Sequence, residues 1–182
     1  MGAMMTLQIA LDLHEQIASA APVAGSRYWG YSRVPDSAVA LLDVHGYNDD
    51  TIPANTTRYP GPRGAVVSHD LFYYHSVADN TRAFAKASGC AMHGNLKYAT
   101  PFDGVRGFTC NMPFGHCAAG PVVQCVGEWG HTWPLYNERP LAYAELVISF
   151  FEATPRNKGT GAAVVNDRKI SGDDNGNHTL YA

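Results

Sequence analysis

The sequence contains no run of basic residues and no apolar stretch long enough to cross a membrane. It has 13 lysines and arginines against 16 aspartates and glutamates, which gives a formal net charge of −3 at pH 7. Nucleic acids and anionic membrane surfaces are bound by concentrated positive charge. A membrane-spanning helix needs about 20 consecutive apolar residues. We therefore expect neither a nucleic-acid partner nor a membrane partner.

Signals for a bound metal ion or cofactor are also missing. No CxxC pair and no His-rich spacing typical of zinc sites occurs, so we expect no metal and no cofactor. A signal peptide is not indicated either, because the apolar stretch Met1–Leu13 lacks a positively charged start. That stretch is apolar on nearly every face and instead predicts a helix buried on several sides.

The sequence does have a group of four cysteines between residues 90 and 125: Cys90, Cys110, Cys117 and Cys125. They are either four buried thiols or two disulfide bonds. We prefer two disulfides in a secreted protein, because disulfides persist in oxidising compartments. Several pairings are possible. If residues 108–126 fold as a hairpin, the expected bonds are Cys110–Cys125 and Cys90–Cys117.

Two asparagines lie in acceptor sequences for N-glycosylation. Asn55 is followed by Thr56-Thr57, and Asn177 is followed by His178-Thr179. This motif is used in secreted proteins, so both asparagines are glycosylation candidates and agree with an extracellular location. Any signal peptide would lie upstream of this chain.

Short apolar runs alternate with helical patterns along the chain. Strands are predicted at Gln16–Ala24, Val39–Val44 and Val122–Val126, and helices at Met1–Leu13, from a Ser76 cap to Ser88, and from Pro140 to a stop before Pro155. This order predicts parallel strands joined by helical crossovers, and so an α/β fold with a parallel sheet and flanking helices. Residues 156–182 are rich in Gly, Asn and Asp without a period and are expected to form a mostly disordered tail.

Two loops would occupy the functional end of such a sheet, because ligands bind beyond the carboxyl ends of the strands. Asp49 follows the strand Val39–Val44, and His131 follows the strand Val122–Val126. Each alone is ordinary, since Asp is common in turns. Together they follow the order of an α/β-hydrolase triad, Ser then Asp then His. The G-x-S-x-G nucleophile elbow of that fold does not occur in the sequence.

The loops also carry specific motifs. HGYNDDTIP at 45–53 has the pattern HGxxDxxIP, and GHTWP at 130–134 surrounds His131. With AAPVAG at 20–25, GAVVSHDLFYYHSV at 64–77, AKASGC at 85–90 and the cysteines from 110 to 125, these segments resemble the polyhydroxybutyrate depolymerase and feruloyl esterase family of α/β-hydrolases. The resemblance covers about residues 1–153. It implies that residues 1–155 form the C-terminal half of an α/β-hydrolase domain.

The resemblance also implies an activity and the roles of individual residues. The activity would be hydrolysis of carboxylic esters by a serine nucleophile, on hydroxyalkanoate esters or on feruloyl or acyl esters of polysaccharides. His131 would act as general base and then as general acid, and Asp49 would orient it.

The same resemblance places the nucleophile outside the sequence. In this family the helix after the nucleophile commonly begins S-x-G-G-M, and on that register Met1-Gly2 are the last two positions of G-x-S-x-G. The serine would lie immediately before Met1, whose N–H would serve the oxyanion hole. The sequence would then be a fragment, or a gene model begun at an internal methionine. We expect the 182-residue chain to be inactive and poorly soluble, and a chain extended upstream to be active.

Neighbouring residues offer alternatives for two of these roles. Asp50 could replace its neighbour as the acid, although the HGxxDxxIP register favours Asp49. Trp133 either lines a substrate cleft or packs against the last helix. Asp43, inside its strand, is expected to be structural.

Two other functions stay open. One is a complete, noncatalytic binding protein on a hydrolase scaffold, because fold does not fix function. The other is a metal hydrolase that uses His45, Asp49 and His131, since histidine and carboxylate can hold zinc. Otherwise His45 is expected to be a packed turn residue.

Overall fold

The computed structural model describes residues 1–54, 61–62, 65–93, 96–99, 108–118, 120–133, 142–155, 170–172 and 178–181. Most of the predicted elements are present, with shifted boundaries. In chain order the helices and strands are α1 (Gly2–Asp12), β1 (Ser19–Ala20), β2 (Ala40–Gly46), β3 (Ala65–Val67), β4 (Tyr73–His75), α2 (Val77–Ala87), β5 (Leu96–Ala99), β6 (Phe108–Met112), β7 (Val122–Gly127), α3 (Ala142–Ala153), β8 (Ile170–Gly172) and β9 (His178–Tyr181).

The main sheet has the strand order β1-β2-β7-β6-β5-β9-β8, and β3 and β4 form a separate antiparallel pair. β1, β2 and β7 run parallel to one another, and helices flank them, so the α/β prediction is confirmed in this general form. The sheet as a whole is mixed, because β5 and β9 are also parallel but β8 is antiparallel to β9. β6 is antiparallel to both β7 and β5, because the chain reaches β7 through a short hairpin connection and not through a helical crossover.

The first predicted strand is much shorter than expected. Ladder pairing over the predicted range Gln16–Ala24 is confined to Ser19–Ala20, followed by one bridge between Val23 and Val44. Pro22 lies between these two contacts. Its carbonyl accepts a bond from the Val44 amide at 3.1 Å, but proline has no N–H to donate, so the ladder is interrupted there.

The part of the sheet around β2 is covered on both faces by apolar side chains. Leu42 and Val44 of β2 belong to a buried cluster with Tyr143, Leu146 and Phe150 of α3. Val39 and Leu41, which alternate with them, belong to a second cluster on the other face, and its further members include Leu7, Leu11 and Phe84 of α1 and α2. β2 therefore lies between two layers of helix, with all of its residues buried.

The predicted ends of α2 agree with the structure, whereas the predicted burial of α1 does not. The Ser76 cap is confirmed, because its hydroxyl accepts a bond from the Asp79 amide at 3.1 Å. Gly89, just after this helix, has a φ of +64°, which is the left-handed stop that glycine favours. The expectation that the first helix is buried on several sides is not met. Leu7 and its neighbours are buried, but Met5 is 65% exposed and Ile9 is 39% exposed.

The segment expected to be a disordered tail is described in two places. Ile170–Gly172 and His178–Tyr181 are short antiparallel strands, and the second of them pairs with β5. The other residues of 156–182 lie outside the described residues. Among the described helices, none has the length and apolar character needed to cross a membrane.

The cysteines form two disulfide bonds, Cys90–Cys117 and Cys110–Cys125. This is the pairing expected for a hairpin, and the hairpin is present as β6 and β7, where Cys110 and Cys125 are directly opposite in register. Two disulfides are typical of proteins from oxidising compartments.

Removal of the Cys110–Cys125 bond should destabilise the sheet. The bond joins residues separated by 15 positions, and closing a loop of that length stabilises a fold by about 3 kcal/mol. We expect the double variant C110A/C125A to lose about this much free energy of unfolding, measured by denaturant titration under non-reducing conditions. Under reducing conditions wild type and variant should differ far less. Equal stabilities without reductant would contradict the expectation.

Candidate active site

Asp49 lies in the turn that follows β2, and its side chain is buried. Its Oδ1 accepts hydrogen bonds from the backbone amides of Thr51 at 3.0 Å and Ile52 at 2.8 Å. This is the turn that aspartate side chains make with the backbone that follows them. Because one carboxylate oxygen is used to hold the turn, the other is left in a fixed position. We refer to residues 47–52 as the acid loop.

His131 lies in the loop after β7, and its Nδ1 is 3.0 Å from Asp49 Oδ2. β2 and β7 are adjacent parallel strands, so their carboxyl ends meet at one edge of the sheet. The two loops are also joined by their backbones. The Tyr47 amide donates to Gly127 O at 2.9 Å, and the Asn48 amide donates to Trp129 O at 3.0 Å. The fold thus brings together the acid and the histidine that the sequence had placed after separate strands.

The contact between the two side chains determines how His131 is oriented. A carboxylate can only accept a hydrogen bond, so Nδ1 is the ring nitrogen that carries the proton toward Asp49. In the neutral imidazole, Nε2 is then left with a free lone pair. This is the arrangement of a histidine prepared to take a proton from a hydroxyl group. Of the His131 side chain 35% is exposed, whereas that of Asp49 has no exposed surface.

A cavity of about 370 Å³ lies beside the histidine, between its loop and the amino end of α1. Its lining includes Met1, Gly2, Thr6, His131 and Trp133. Met1, expected from the resemblance to border the oxyanion hole, therefore lies at the same cavity as the histidine.

Trp133 packs against the last helix and also borders the cavity. Its ring stands edge-on to Tyr143 of α3, with 4.3 Å between ring centroids, so it packs against the last helix. It is also 54% exposed and lines the cavity. An aromatic surface next to His131 suits an apolar or aromatic part of a ligand.

The other sequence candidates are less central or lie elsewhere. Asp50 is exposed. Among the described residues, no group of three His, Cys, Asp or Glu side chains is placed to hold a metal ion. The glycosylation candidates Asn55 and Asn177 lie outside the described residues.

Asp43, expected to be structural, and His45, expected to be a packed turn residue or a metal ligand, both belong to the surroundings of Asp49. Asp43 and His45 are fully buried in β2. His45 Nε2 is 3.5 Å from Asp49 Oδ2, and His45 Nδ1 is 3.7 Å from Asp43 Oδ1. The sequence contains a signal for them, because β2 reads ALLDVHG and strands buried on both faces are usually apolar throughout.

The electrostatics of this buried pair are unusual. Burial raises the pKa of the Asp43 carboxyl above its ordinary value, and His45 only partly opposes this. Burial by itself would lower the pKa of His45, but the adjacent Asp43 carboxylate and the Ile52 carbonyl outweigh it, so the pKa of His45 is raised. Both groups therefore hold protons more strongly than they would in water.

Gly46, the last residue of β2, allows the two loops to meet. A Cβ at this position would collide with the Trp129 backbone carbonyl, the group that accepts from the Asn48 amide. Replacing Gly46 with alanine should therefore push the loops apart and lower the free energy of unfolding by roughly 1–3 kcal/mol. Thermal unfolding measures the loss. Gly2→Ala is the control, because an added Cβ there meets nothing within 4 Å; equal midpoints for the two variants would contradict this expectation.

Comparison of the chain with models of protein families, with curated proteins and with solved structures gave no match.

Proposed function

We propose that this chain forms the acid–base part of a serine carboxylic ester hydrolase with an α/β-hydrolase fold. The observation that carries the proposal is the 3.0 Å contact between His131 Nδ1 and Asp49 Oδ2, made at the carboxyl ends of neighbouring parallel strands. The motifs HGYNDDTIP and GHTWP, which resemble the acid and histidine loops of polyhydroxybutyrate depolymerases and feruloyl esterases, agree with it.

The nucleophile in this proposal is a serine joined to the amino end of α1, immediately before Met1. The support is the cavity, since Met1 and Gly2 line it together with His131. A serine at that point would sit between a strand and the first turn of a helix, as nucleophile elbows do. The amide of the following residue, Met1, would donate to the oxyanion.

The proposed reaction follows from these positions. The serine Oγ attacks the ester carbonyl while His131 Nε2 takes its proton, and Asp49 stabilises the imidazolium that forms. His131 then gives the proton to the departing alcohol, which leaves an acyl-enzyme. A water molecule, deprotonated by the same histidine, hydrolyses the acyl-enzyme and restores the serine.

The substrate class proposed is an ester of a hydroxyalkanoate, or a feruloyl or other acyl ester of a polysaccharide, and the protein is proposed to be secreted. The exposed face of Trp133 at the cavity supplies an apolar surface against which an aromatic acyl group can pack. The two disulfides suit an extracellular setting.

The experiment begins with the coding sequence upstream of the Met1 codon. If it encodes a strand ending in Gly-x-Ser, the full-length protein should hydrolyse p-nitrophenyl acetate or methyl ferulate, and a fluorophosphonate probe should label that serine. Alanine at the serine should lower kcat by roughly a million-fold. A stop codon near Met1 without such a serine, or a full-length protein that the probe does not label, would contradict the proposal. The noncatalytic binding protein would then be the better interpretation.

A further inference from the structure

A line of buried polar side chains leads from the middle of β2 to Asp49. Asp43 and His45 are alternate residues of one strand, so they point to the same face of the sheet. His45 Nε2 lies 2.8 Å from Ile52 O, and the Ile52 amide donates to Asp49 Oδ1, also at 2.8 Å. The carbonyl of Ile52 therefore accepts from His45, and the amide of Ile52 donates to Asp49. The backbone of this one residue links the two side chains.

The two ends of the Asp43–His45 contact are otherwise unsatisfied. Among the described residues, no hydrogen-bond partner reaches either carboxylate oxygen of Asp43 or Nδ1 of His45. The nearest pair of these atoms, Asp43 Oδ1 and His45 Nδ1, is 3.7 Å apart, which is an electrostatic contact rather than a formed hydrogen bond. Unsatisfied polar atoms without access to water are rare and strongly unfavourable.

The hydrogen bond to Ile52 fixes one of the protons of His45. A carbonyl oxygen can only accept, so Nε2 carries a proton. Were Asp43 also ionised and His45 neutral, a carboxylate would face the lone pair of Nδ1 inside the core. A single proton between these two atoms removes the conflict, whether it resides on the nitrogen or on the oxygen.

We propose that Asp43 and His45 share one buried proton at neutral pH, and that the pair acts as a positioning device for Asp49. The shared proton cancels the charge of Asp43, so the negative charge of Asp49 remains available to His131. The bond from His45 to Ile52 holds the acid loop in place. The positioning role rests on the proposed esterase function, whereas the shared proton does not.

Among the residues that the structure describes, few other titratable groups lie near the pair. Gln124 of β7 is the neighbour of Asp43 in register. The buried residues of α1 and α2, which cover this face, carry no titratable side chain. Beyond His45 lie Asp49 and then His131. Tyr74 also lies within the electrostatic reach of Asp49; burial first, and among smaller causes the charge of Asp49, raise its pKa. In α3, burial and then the charge of Asp43 raise the pKa of Tyr143, so this phenol stays neutral and contributes no charge.

A shared proton makes folding stability fall as the pH rises. In the unfolded chain at pH 7 the aspartate is ionised and the histidine is neutral, so the pair holds only the one ring proton of neutral imidazole. The folded pair holds one proton more. Above about pH 6.5, the ordinary pKa of histidine, the unfolding equilibrium constant should rise by up to about tenfold per pH unit until the folded pair loses its proton.

The variant D43N tests this directly. An amide cannot share the proton, so the rise of the unfolding constant with pH should be shallower in D43N than in wild type. The exposed Asp36 provides a matched control, because D36N should retain the wild-type dependence. A second readout in the wild type is a slowly exchanging proton between His45 Nδ1 and Asp43 in NMR spectra. It is distinct from the Nε2–H that donates to Ile52 and should be absent in D43N. Equal pH dependence in wild type and D43N, together with no protected proton on the Nδ1 side, would overturn the shared proton.

The variants H45F and H45Q together test the positioning role. Phenylalanine cannot donate to Ile52, whereas glutamine keeps that donor. In H45Q the Nδ1–H resonance of His131, which reports its contact with Asp49, should persist. In H45F it should broaden or disappear. In the full-length H45F protein kcat should fall by up to about a hundredfold with KM unchanged. An unchanged resonance and unchanged kcat in H45F would overturn the positioning role, whereas an intact shared proton in a full-length protein without esterase activity would overturn only the proposed function.

Discussion

Replacing His131 with alanine should lower kcat of the proposed full-length esterase by about a million-fold, with little change in KM. The imidazole acts on the proton of the nucleophile and of the leaving group, and it is not needed to bind the ester. In serine hydrolases, loss of the histidine alone costs about as much as loss of the whole triad. Release of p-nitrophenol from the acetate ester measures the loss. The variant is assayed at an enzyme concentration far above that used for the wild type.

A matched control and a double variant make this test specific. His116 is exposed in the turn between β6 and β7, and H116A should retain wild-type activity. Combining H131A with alanine at the serine should cause no further loss, because residues that act as a unit are not additive. If H131A stayed within about tenfold of wild type, or if the two losses multiplied, His131 would not be the base.

Replacing Asp49 with asparagine should lower kcat by about ten-thousandfold while leaving the fold intact. The amide oxygen of asparagine can still accept from the Thr51 and Ile52 backbones, which keeps the turn. Its NH₂ group then faces His131 Nδ1, so the imidazole must accept there, and its proton moves to Nε2. A histidine in that state cannot take a proton from a serine. The same hydrolysis assay, with circular dichroism to check folding, measures the effect.

The neighbouring Asp50 is the control for this substitution. Its side chain is exposed, and its backbone carbonyl, which accepts from His69 at 3.1 Å, is unaffected by a change of side chain. D50N should therefore keep wild-type kcat. The opposite outcome, a large loss in D50N and a small one in D49N, would assign the orienting acid to Asp50.

The sequence predicts those parts of the site that depend on local order along the chain. Asp49 and His131 each follow an apolar run, and two parallel strands that are neighbours bring their ends together. The pairing of the cysteines followed from one hairpin. Other features depend on contacts between distant segments. The direction of β6 is set by its short connection to β7, and the apolar pattern of a strand is the same in either direction.

Buried polar residues are harder to interpret from sequence. Asp43 and His45 interrupt an apolar strand, which signals that something unusual is present, but the pattern does not say what they face. Their significance comes from Ile52, seven residues after His45, whose backbone returns to the strand and accepts its N–H. Such a contact depends on the path of the loop, and no propensity of single residues encodes it.

The backbone bonds between the acid loop and the loop of His131 also bear on how this edge of the sheet can evolve. The amides of Tyr47 and Asn48 hold the opposite loop, while their side chains are exposed. Because every residue except proline offers the same N–H, these two positions can change identity without disturbing the distance between Asp49 and His131. Sequence drift at these two exposed positions is thereby uncoupled from the geometry of the contact between Asp49 and His131.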